Sequence, residues 1–508
     1  MKEIIQNQEK EIAVIRLKGS PYQRTVDGIK IDCSEVLENL ALNANYETHL
    51  NEAIKKNELF LQPLFDGGYY GIDKKIKKGE PLSYAESFSL MSFVSMGVNR
   101  MVHDKLAPKI KVGMTDPDTV FLQSISLLSS MSAKEAYIGL TPEEIAGFTA
   151  STLEIDTVVR IPTTDKVIGV GGMGGDKGYA KGAVASKLFS LSTLGSIVLS
   201  NFGYVHKHHS YPNTSKVAGQ SAIEEFGARS DQSNPSDLKN IQEKTGLLMS
   251  SCHTTRFIHT MSHRLKGETI NHIIGPLAFP VDKNTEINAF IGSNDNVHPE
   301  TIIKALLVMQ QNGVQKYSNS VAFCGLNGDN LPKSLFDSDL YYQDKKAKSL
   351  IAIDEVAPPP YKTLAAFLVD GRNVGVYLIE PTDFMNENML AKITLNDLLI
   401  PNTFDSIMAA NLGAITGKDI PKSIYLAMTA ALGLFVKEYA SLPDAFDQDS
   451  RRINRQYLRN AFERSIETIN SQKAYEKLKE YVEATKSSSI KQNNRCSLEN
   501  LQPTEDTN

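Results

Sequence analysis

The sequence predicts an α/β fold in which a helical segment precedes a larger part built on a mostly parallel sheet. Residues 34 to 154 show mainly helical periodicity. After them, strand-like runs at 247 to 251, 288 to 292 and 321 to 325 alternate with helical patterns, as at 299 to 311. Alternation of strands and helices is typical of a parallel sheet that is covered on both faces.

Two helices of the first segment have recognisable start signals. Ser83-Tyr84-Ala85-Glu86 matches the S-x-x-E capping box before an apolar-periodic run. Thr141-Pro142 reads as an N-cap residue followed by proline at the first helical position. Each signal therefore marks the first residues of a predicted helix.

Segments before and after the central part of the chain also have recognisable patterns. Residues 11 to 17 and 28 to 31 are strand-like and precede the helical segment. Asp370-Gly371 is a turn signal between strand-like runs at 364 to 369 and 374 to 379. Residues 404 to 484 are largely helical in pattern, and the polar residues after 487 predict a disordered tail.

Composition and charge indicate a globular protein and give no sign of a nucleic-acid-binding or membrane-spanning chain. The 508 residues are 41% hydrophobic and 22% charged, as in an ordinary globular chain. A net charge of −5 gives no overall attraction to nucleic acid or membranes. No apolar run reaches the roughly 18 residues of a membrane span, and the polar first ten residues do not resemble a secretory signal. The scattered cysteines fit a reducing compartment, so we predict a cytoplasmic protein: Cys33, Cys252, Cys324 and Cys496.

The central stretch from Val167 to Gly227 predicts a site for phosphate groups. An apolar run ends in Gly171-Gly172-Met173-Gly174-Gly175-Asp176-Lys177-Gly178, which has five glycines in eight residues. Glycine lets a ligand approach the backbone closely. Ser192-Thr193 then begins an apolar helix, where unpaired N–H groups attract anions. Between Lys177 and Ile223 there are five lysines and no acidic residue.

The two common nucleotide fingerprints do not fit this stretch. Residues 169 to 174 satisfy G-x-G-x-x-G formally, but no acidic residue follows at the distance that ribose recognition requires. A P-loop requires Gly-Lys-Ser/Thr, whereas Lys177 is followed by Gly178. A glycine-rich surface loop beside solvated lysines is the alternative interpretation.

Asp354-Glu355 is the candidate metal site. The pair follows the apolar run 350 to 353, and adjacent carboxylates suit magnesium better than zinc. Asp329-Asn330 is a rival that lacks the second carboxylate. Seven of the ten histidines fall between His206 and His272, but His259 and His263 do not form the H-E-x-x-H pattern. We therefore do not expect zinc.

The chain resembles the anthranilate phosphoribosyltransferases, within the wider superfamily of pyrimidine nucleoside phosphorylases. That family shows G-T-G-G-D, F-N-I-S-T, K-H-G-N-R and L-E-A-L-G in this order. The matching segments here are residues 172 to 176, 189 to 193, Lys207-His208, Ser215-Lys216 and 224 to 227, with further matches at 141 to 147 and 275 to 277. The resemblance covers roughly residues 40 to 484, interrupted by insertions.

The resemblance implies a small helical domain and a larger α/β domain with a cleft between them. We expect an extension at 1–38, the helical domain at 39–154 with an insertion at 99–134, the α/β domain at 155–484, and a tail at 485–508. Some segments of the α/β domain could return to the helical domain.

The resemblance also implies transfer of 5-phosphoribosyl from phosphoribosyl diphosphate to a nitrogen nucleophile, with Mg2+. No residue is expected to act as a nucleophile, because positioning and electrostatic stabilisation suffice. The residues expected to bind the substrates are Gly172, Gly174, Gly175, Asp176, Ser190, Ser192, Thr193, Lys207, His208, Ser210, Ser215 and Arg264. The residues expected to bind the metal are Asp354, Glu355 and Ser192.

The acceptor side departs from the family. Where the family has Gly-Asn-Arg, this chain has His209-Ser210-Tyr211. Losing a bidentate arginine removes a strong carboxylate contact, so we expect anthranilate to be a poor acceptor. Two alternatives stay open: a nucleoside phosphorylase that uses phosphate, and a non-catalytic relative that binds nucleic acid, against which the net charge argues. A homodimer is also left open, and no membrane partner is expected.

Overall fold

A computed structural model describes the side chains of most of residues 46–487. Within that range it does not describe residues 164–165, 175–185, 210–216, 230–231, 233, 260 and 262–268. Before residue 46 it describes only the backbone of an antiparallel hairpin, β1 Gln23–Val26 and β2 Ile29–Asp32. Strand β2 overlaps the predicted run at 28 to 31, whereas the run at 11 to 17 and the tail after 487 lie outside the described residues.

Helices build the first part of the described chain. They are α1 Tyr46–Lys56, α2 Glu58–Lys77, α3 Tyr84–Met96, α4 Arg100–Leu106, α5 Pro117–Tyr137 and α6 Pro142–Ser151. Both predicted start signals are confirmed: Ser83 and Glu86 cap α3 reciprocally, and Thr141 and Glu144 do so at α6. A π-helical turn, Thr152–Asp156, leads from α6 toward the sheet. The segment 99–134, expected as an insertion, forms α4 and most of α5.

A nine-stranded sheet forms the centre of the second part. Its main order is β12-β11-β9-β7-β3-β5-β6, and β8 and β10 pair with β7 and β9. Five of these strands are parallel neighbours: β3 Lys166–Gly172, β5 Val205–His209, β6 Leu247–Ser251, β7 Glu286–Gly292 and β9 Ser320–Leu326. The antiparallel members are β10 Ile351–Ile353, β11 Thr363–Val369 and β12 Arg372–Ile379, and β8 Lys316–Tyr317 joins in parallel. The sheet is therefore mostly parallel, as predicted.

Helices cover both faces of this sheet, and hydrophobic clusters lie on each side of it. Between the strands lie α7 Leu191–Leu199, α8 Gly219–Glu225, α9 Pro235–Thr245, α10 Cys252–Thr255, α11 Asn271–Leu277 and α12 Pro299–Gln311. Short elements follow: α13 Ser338–Tyr341, α14 Lys345–Leu350, α15 Pro381–Phe384, α16 Glu387–Leu390 and α17 Leu395–Leu398. Small antiparallel pairs are formed by β4 Ser186–Lys187 with β13 Ile400–Pro401 and by β14 Phe446–Asp447 with β15 Arg452–Ile453.

Four long helices end the described chain, which confirms the helical pattern predicted for residues 404 to 484. They are α18 Phe404–Ile415, α19 Ile420–Glu438, α20 Arg455–Asn470 and α21 Lys473–Ser487. By length and composition, α19 could cross a membrane, but 78% of its most apolar window is buried inside the protein. It packs in the hydrophobic cluster that also contains α7.

Candidate functional site

The candidate site lies where the parallel strands end. In open α/β sheets, ligands bind outside the carboxyl ends of the strands. Strands β3, β5 and β7 are neighbours, and their last residues are Gly172, His209 and Gly292. Strand β10 begins beside Leu326, the last residue of β9, and is only three residues long, so the following Asp354 stays near this edge. The topology thus joins the glycine loop to a carboxylate pair that is about 180 residues away.

The glycine loop contacts Asp354 directly. The backbone N–H of Gly174 donates to Asp354 Oδ2 at 2.7 Å. Gly174 has φ +68°, which disfavours any residue with a side chain. A Cβ on Gly172 would lie 2.8 Å from the same carboxylate oxygen. A side chain at either position would therefore disturb the contact between the loop and this carboxyl group, by crowding at Gly172 and by backbone strain at Gly174.

The start of helix α7 contacts Glu355. Ser190 is the N-cap residue, but its side chain does not cap the helix. The N–H of Ser192 donates to Glu355 Oε1 at 3.3 Å, while Thr193 is buried one position further on. Ser190 is instead held by Asn411 on α18, which accepts from the Ser190 N–H at 2.9 Å. The N-terminus of α7 therefore donates to the side chain of Glu355, which follows β10, and not to a side chain of the helix itself.

Lys207 brings a positive charge to the same place. Its Nζ donates to Ser192 Oγ at 3.1 Å, and its side chain is buried. Burial lowers the pKa of Lys207, although the charges of Glu355 and Asp354 oppose this shift. Burial and the charge of Asp354 raise the pKa of Glu355. Desolvation thus exceeds the attraction between the two groups, a pattern common at functional sites.

The carboxylate pair fits a magnesium ion. Glu355 Oε2 is buried and has no hydrogen-bond partner among the residues that the structure describes. Magnesium prefers oxygen ligands and is often held by one or two carboxylates together with substrate phosphates. No cluster of three or more His, Cys, Asp or Glu side chains suited to a metal occurs in the described part of the chain. Phosphate oxygens and water would complete the coordination of such an ion.

His208 lies on the other face of strand β5 from Lys207, since side chains alternate along a strand. Its ring nitrogens lie 3.2 Å from Thr255 Oγ1 and 3.3 Å from the Gly275 carbonyl oxygen. The Arg256 guanidinium donates toward the same ring at 3.1 and 3.4 Å. Burial and the charge of Arg256 hold the pKa of His208 well below its usual value, so this ring is neutral.

The structure brings together most of the described residues that the sequence singled out. Gly172, Gly174, Ser192, Lys207, Asp354 and Glu355 meet at one edge, with Ser190 and Thr193 at the adjoining helix start. His208 points away from this group. Five expected substrate-binding residues lie outside the described residues: Gly175, Asp176, Ser210, Ser215 and Arg264. Asp329, the rival to Asp354, is exposed in the loop after β9.

Sequence reasoning missed three residues with defined positions. Asn411 could have been noticed in the sequence as a polar residue within an apolar helical pattern, and the structure buries it. Arg256 and Asp156 gave no local signal, although both are fully buried beside the π-helical turn. Only the tertiary fold brings residues 156, 208 and 256 together.

Several curated proteins are similar to this chain in sequence. The anthranilate phosphoribosyltransferase of Methanococcus maripaludis strain C6 is 32% identical over 191 residues, which is 35% of this chain and 55% of that protein. That of Methanobrevibacter smithii is 26% identical over 347 residues, covering 67% and 89%. The chain thus spans about half the length of the first of these relatives. No family model matches the chain.

Solved structures share the fold. Anthranilate phosphoribosyltransferase from Saccharomyces cerevisiae in complex with PRPP and Mg aligns with a TM-score of 0.54 and 16% identity, over 83% of this chain and 98% of that one. The enzyme from Thermus thermophilus aligns with a TM-score of 0.53 and 17% identity, over 82% and 99%. The chain is therefore similar in sequence to anthranilate phosphoribosyltransferases and shares the fold of the solved ones.

Proposed function

We propose that the protein is a pentosyltransferase that moves 5-phosphoribosyl from phosphoribosyl diphosphate to a nitrogen nucleophile with the help of Mg2+. One observation carries this proposal: the glycine loop, the start of α7 and Lys207 converge on the Asp354–Glu355 pair. Backbone N–H groups suit phosphate oxygens, and adjacent carboxylates suit a divalent cation. A magnesium-complexed diphosphate supplies phosphate oxygens for the N–H groups and a divalent cation for the carboxylates.

The described residues supply binding and electrostatic stabilisation rather than a nucleophile. As the C1–O bond breaks, negative charge develops on the leaving diphosphate. Lys207 lies where it can stabilise that charge, and the N–H groups of Gly174 and Ser192 could add to it once a cation draws off the carboxyl oxygens that accept from them. Magnesium held by Asp354 and Glu355, with Ser192 as a further ligand, would neutralise part of the diphosphate charge.

The solved structures support phosphoribosyl diphosphate as the donor and an aromatic compound as the acceptor, but they do not identify the acceptor of this chain. One of them is a complex with PRPP and Mg, and another is a complex with 4-fluoroanthranilate. In this chain His209-Ser210-Tyr211 replaces the family's Gly-Asn-Arg, and His209 is buried beside Lys207. We propose that the acceptor is a nitrogen compound for which anthranilate is a poor substitute. The cytoplasmic location and the homodimer remain predictions.

A steady-state assay tests this function. Purified protein with phosphoribosyl diphosphate and Mg2+ is supplied with anthranilate or with a panel of other aromatic amines, and diphosphate release is followed. We expect metal-dependent release that is faster with another amine than with anthranilate. Ordinary turnover with micromolar anthranilate would contradict the acceptor proposal. Phosphorolysis of a nucleoside, without diphosphate release from the donor, would instead establish a phosphorylase.

A further inference from the structure

Glu355 occupies a position that an anion would take. Its Oε1 accepts the Ser192 N–H at the start of α7, and Asp354 Oδ2 accepts the Gly174 N–H of the glycine loop. These two N–H groups belong to the two elements that the sequence predicts to bind phosphate. In this structure, each is therefore already satisfied by a carboxyl oxygen of the same chain.

We propose that Glu355 determines which anion the site accepts: it excludes inorganic phosphate in the absence of metal and admits a metal-complexed diphosphate. The first half of this proposal concerns metal-free phosphate alone. The second half rests on the proposed function. Glu355 is thus a specificity-determining residue as well as an expected metal ligand.

Competition for hydrogen-bond donors is one part of the argument. A single phosphate that approaches α7 must displace Glu355 from the Ser192 N–H before it can bind there. The displaced carboxylate would then lie beside the phosphate, and the two negative charges would repel each other. Asp354 adds a second carboxyl group on the loop side.

The positive charge in the described part of the site does not offset this repulsion. Lys207 is the cation whose contact with the site is defined, and its Nζ is engaged by Ser192 Oγ. One ammonium group faces two carboxyl groups. A divalent cation changes the balance, because it gives both carboxyl groups a partner and releases the Ser192 N–H for a phosphate oxygen. The unpartnered Glu355 Oε2 is available for such an ion.

The test measures binding of inorganic phosphate by isothermal titration in EDTA, so that it requires neither donor nor metal. Glu355→Ala frees the Ser192 N–H and removes the charge, whereas Glu355→Gln removes the charge but keeps a carbonyl oxygen for that N–H. Asp329→Ala is the matched control, since it removes an exposed carboxylate outside the contact network. Thermal unfolding of each variant confirms that it folds.

We expect Glu355→Ala to bind phosphate at least tenfold more tightly than wild type, Glu355→Gln to gain less than Glu355→Ala because its carbonyl oxygen still competes for the Ser192 N–H, and Asp329→Ala to match wild type. Equal phosphate affinity of Glu355→Ala and wild type would overturn the proposal, as would an equal gain in Asp329→Ala. Because this titration contains no phosphoribosyl diphosphate, its result is independent of whether phosphoribosyl transfer occurs. Failure of the proposed function would appear only in the diphosphate-release assay.

Discussion

The two faces of strand β5 place ionisable groups in different surroundings. On one face, Lys207 reaches Ser192 beside two carboxyl groups of like charge, Asp354 and Glu355. On the other face, the Ile258 N–H and the positive charge of Arg256 act to lower the pKa of Asp156, against the larger effect of burial. Two neighbouring carboxyl groups are stabilised by an external cation, whereas Asp156 is stabilised by groups of the protein itself.

This difference assigns the two faces different roles. Arg256 donates to the Ala278 carbonyl oxygen and toward His208, and Asp156 accepts the Ile258 N–H at 2.8 Å. These contacts connect the π-helical turn with the ends of β5 and β6. The face with Arg256 therefore stabilises the junction between the helices and the sheet, while the face with Lys207 is the one proposed to bind the ligand.

The largest expected effect on stability is that of Arg256→Met. Arg256→Met removes the donor to the buried Ala278 carbonyl oxygen and the positive charge that favours ionisation of Asp156, so the free energy of unfolding should fall by more than about 3 kcal/mol. Arg100→Met is the control, because Arg100 forms an exposed pair with Asp104 whose loss should cost less than about 1 kcal/mol. Urea unfolding measures both. Equal losses in the two variants would contradict the role of Arg256.

A smaller effect is expected for Asp156→Asn, and it depends on pH. Burial raises the pKa of Asp156 to about 6, above the value of about 3.9 in an unfolded chain. The folded state therefore binds the proton more tightly, and ionisation of Asp156 costs stability as pH rises from about 4 to 6. That cost amounts to ~3 kcal/mol at neutral pH.

The measurement compares urea unfolding of wild type and Asp156→Asn at pH 4 and pH 7. Wild type should lose stability relative to the variant between these two values. Buried neutral histidines have the opposite pH dependence: the pKa of His206 is lowered to about 3 by burial and Arg256, so its contribution is lost on acidification. This contribution cancels in the comparison. A constant difference between the two proteins would contradict the raised pKa of Asp156.

The sequence predicted the ligand-binding face of β5 better than the junction face. Glycine loops and helix starts have local signatures, and Asp354-Glu355 follows a recognisable strand, so these parts could be found without a structure. The strand pair around Asp370-Gly371 was predicted for the same reason and is confirmed. Asp156 and Arg256 are separated by 100 positions and lie in no motif. They lie close together because the chain after the π-helical turn bridges to the chain after β6, between Thr157 and Arg256, and no local pattern encodes that bridge.

The contacts of Glu355 show a second limit of sequence reasoning. The motif predicts that the start of α7 binds phosphate and that Asp354-Glu355 binds metal, each as a separate site. It does not predict that the carboxyl group accepts the helix N–H. That contact depends on the position of β10, which begins beside the last residue of β9 and is short enough to leave Asp354 and Glu355 near the ends of β3 and β7.

The most direct test of the ligand-binding face is titration of the protein with phosphoribosyl diphosphate, with Mg2+ and with EDTA. We predict that wild type binds the donor in Mg2+ and loses most of that affinity in EDTA. The Asp354→Ala/Glu355→Ala double variant should lose the metal-dependent part while its thermal unfolding stays cooperative. Equal donor affinity of wild type in Mg2+ and EDTA, or unchanged metal-dependent affinity in the double variant, would contradict the assignment of this site.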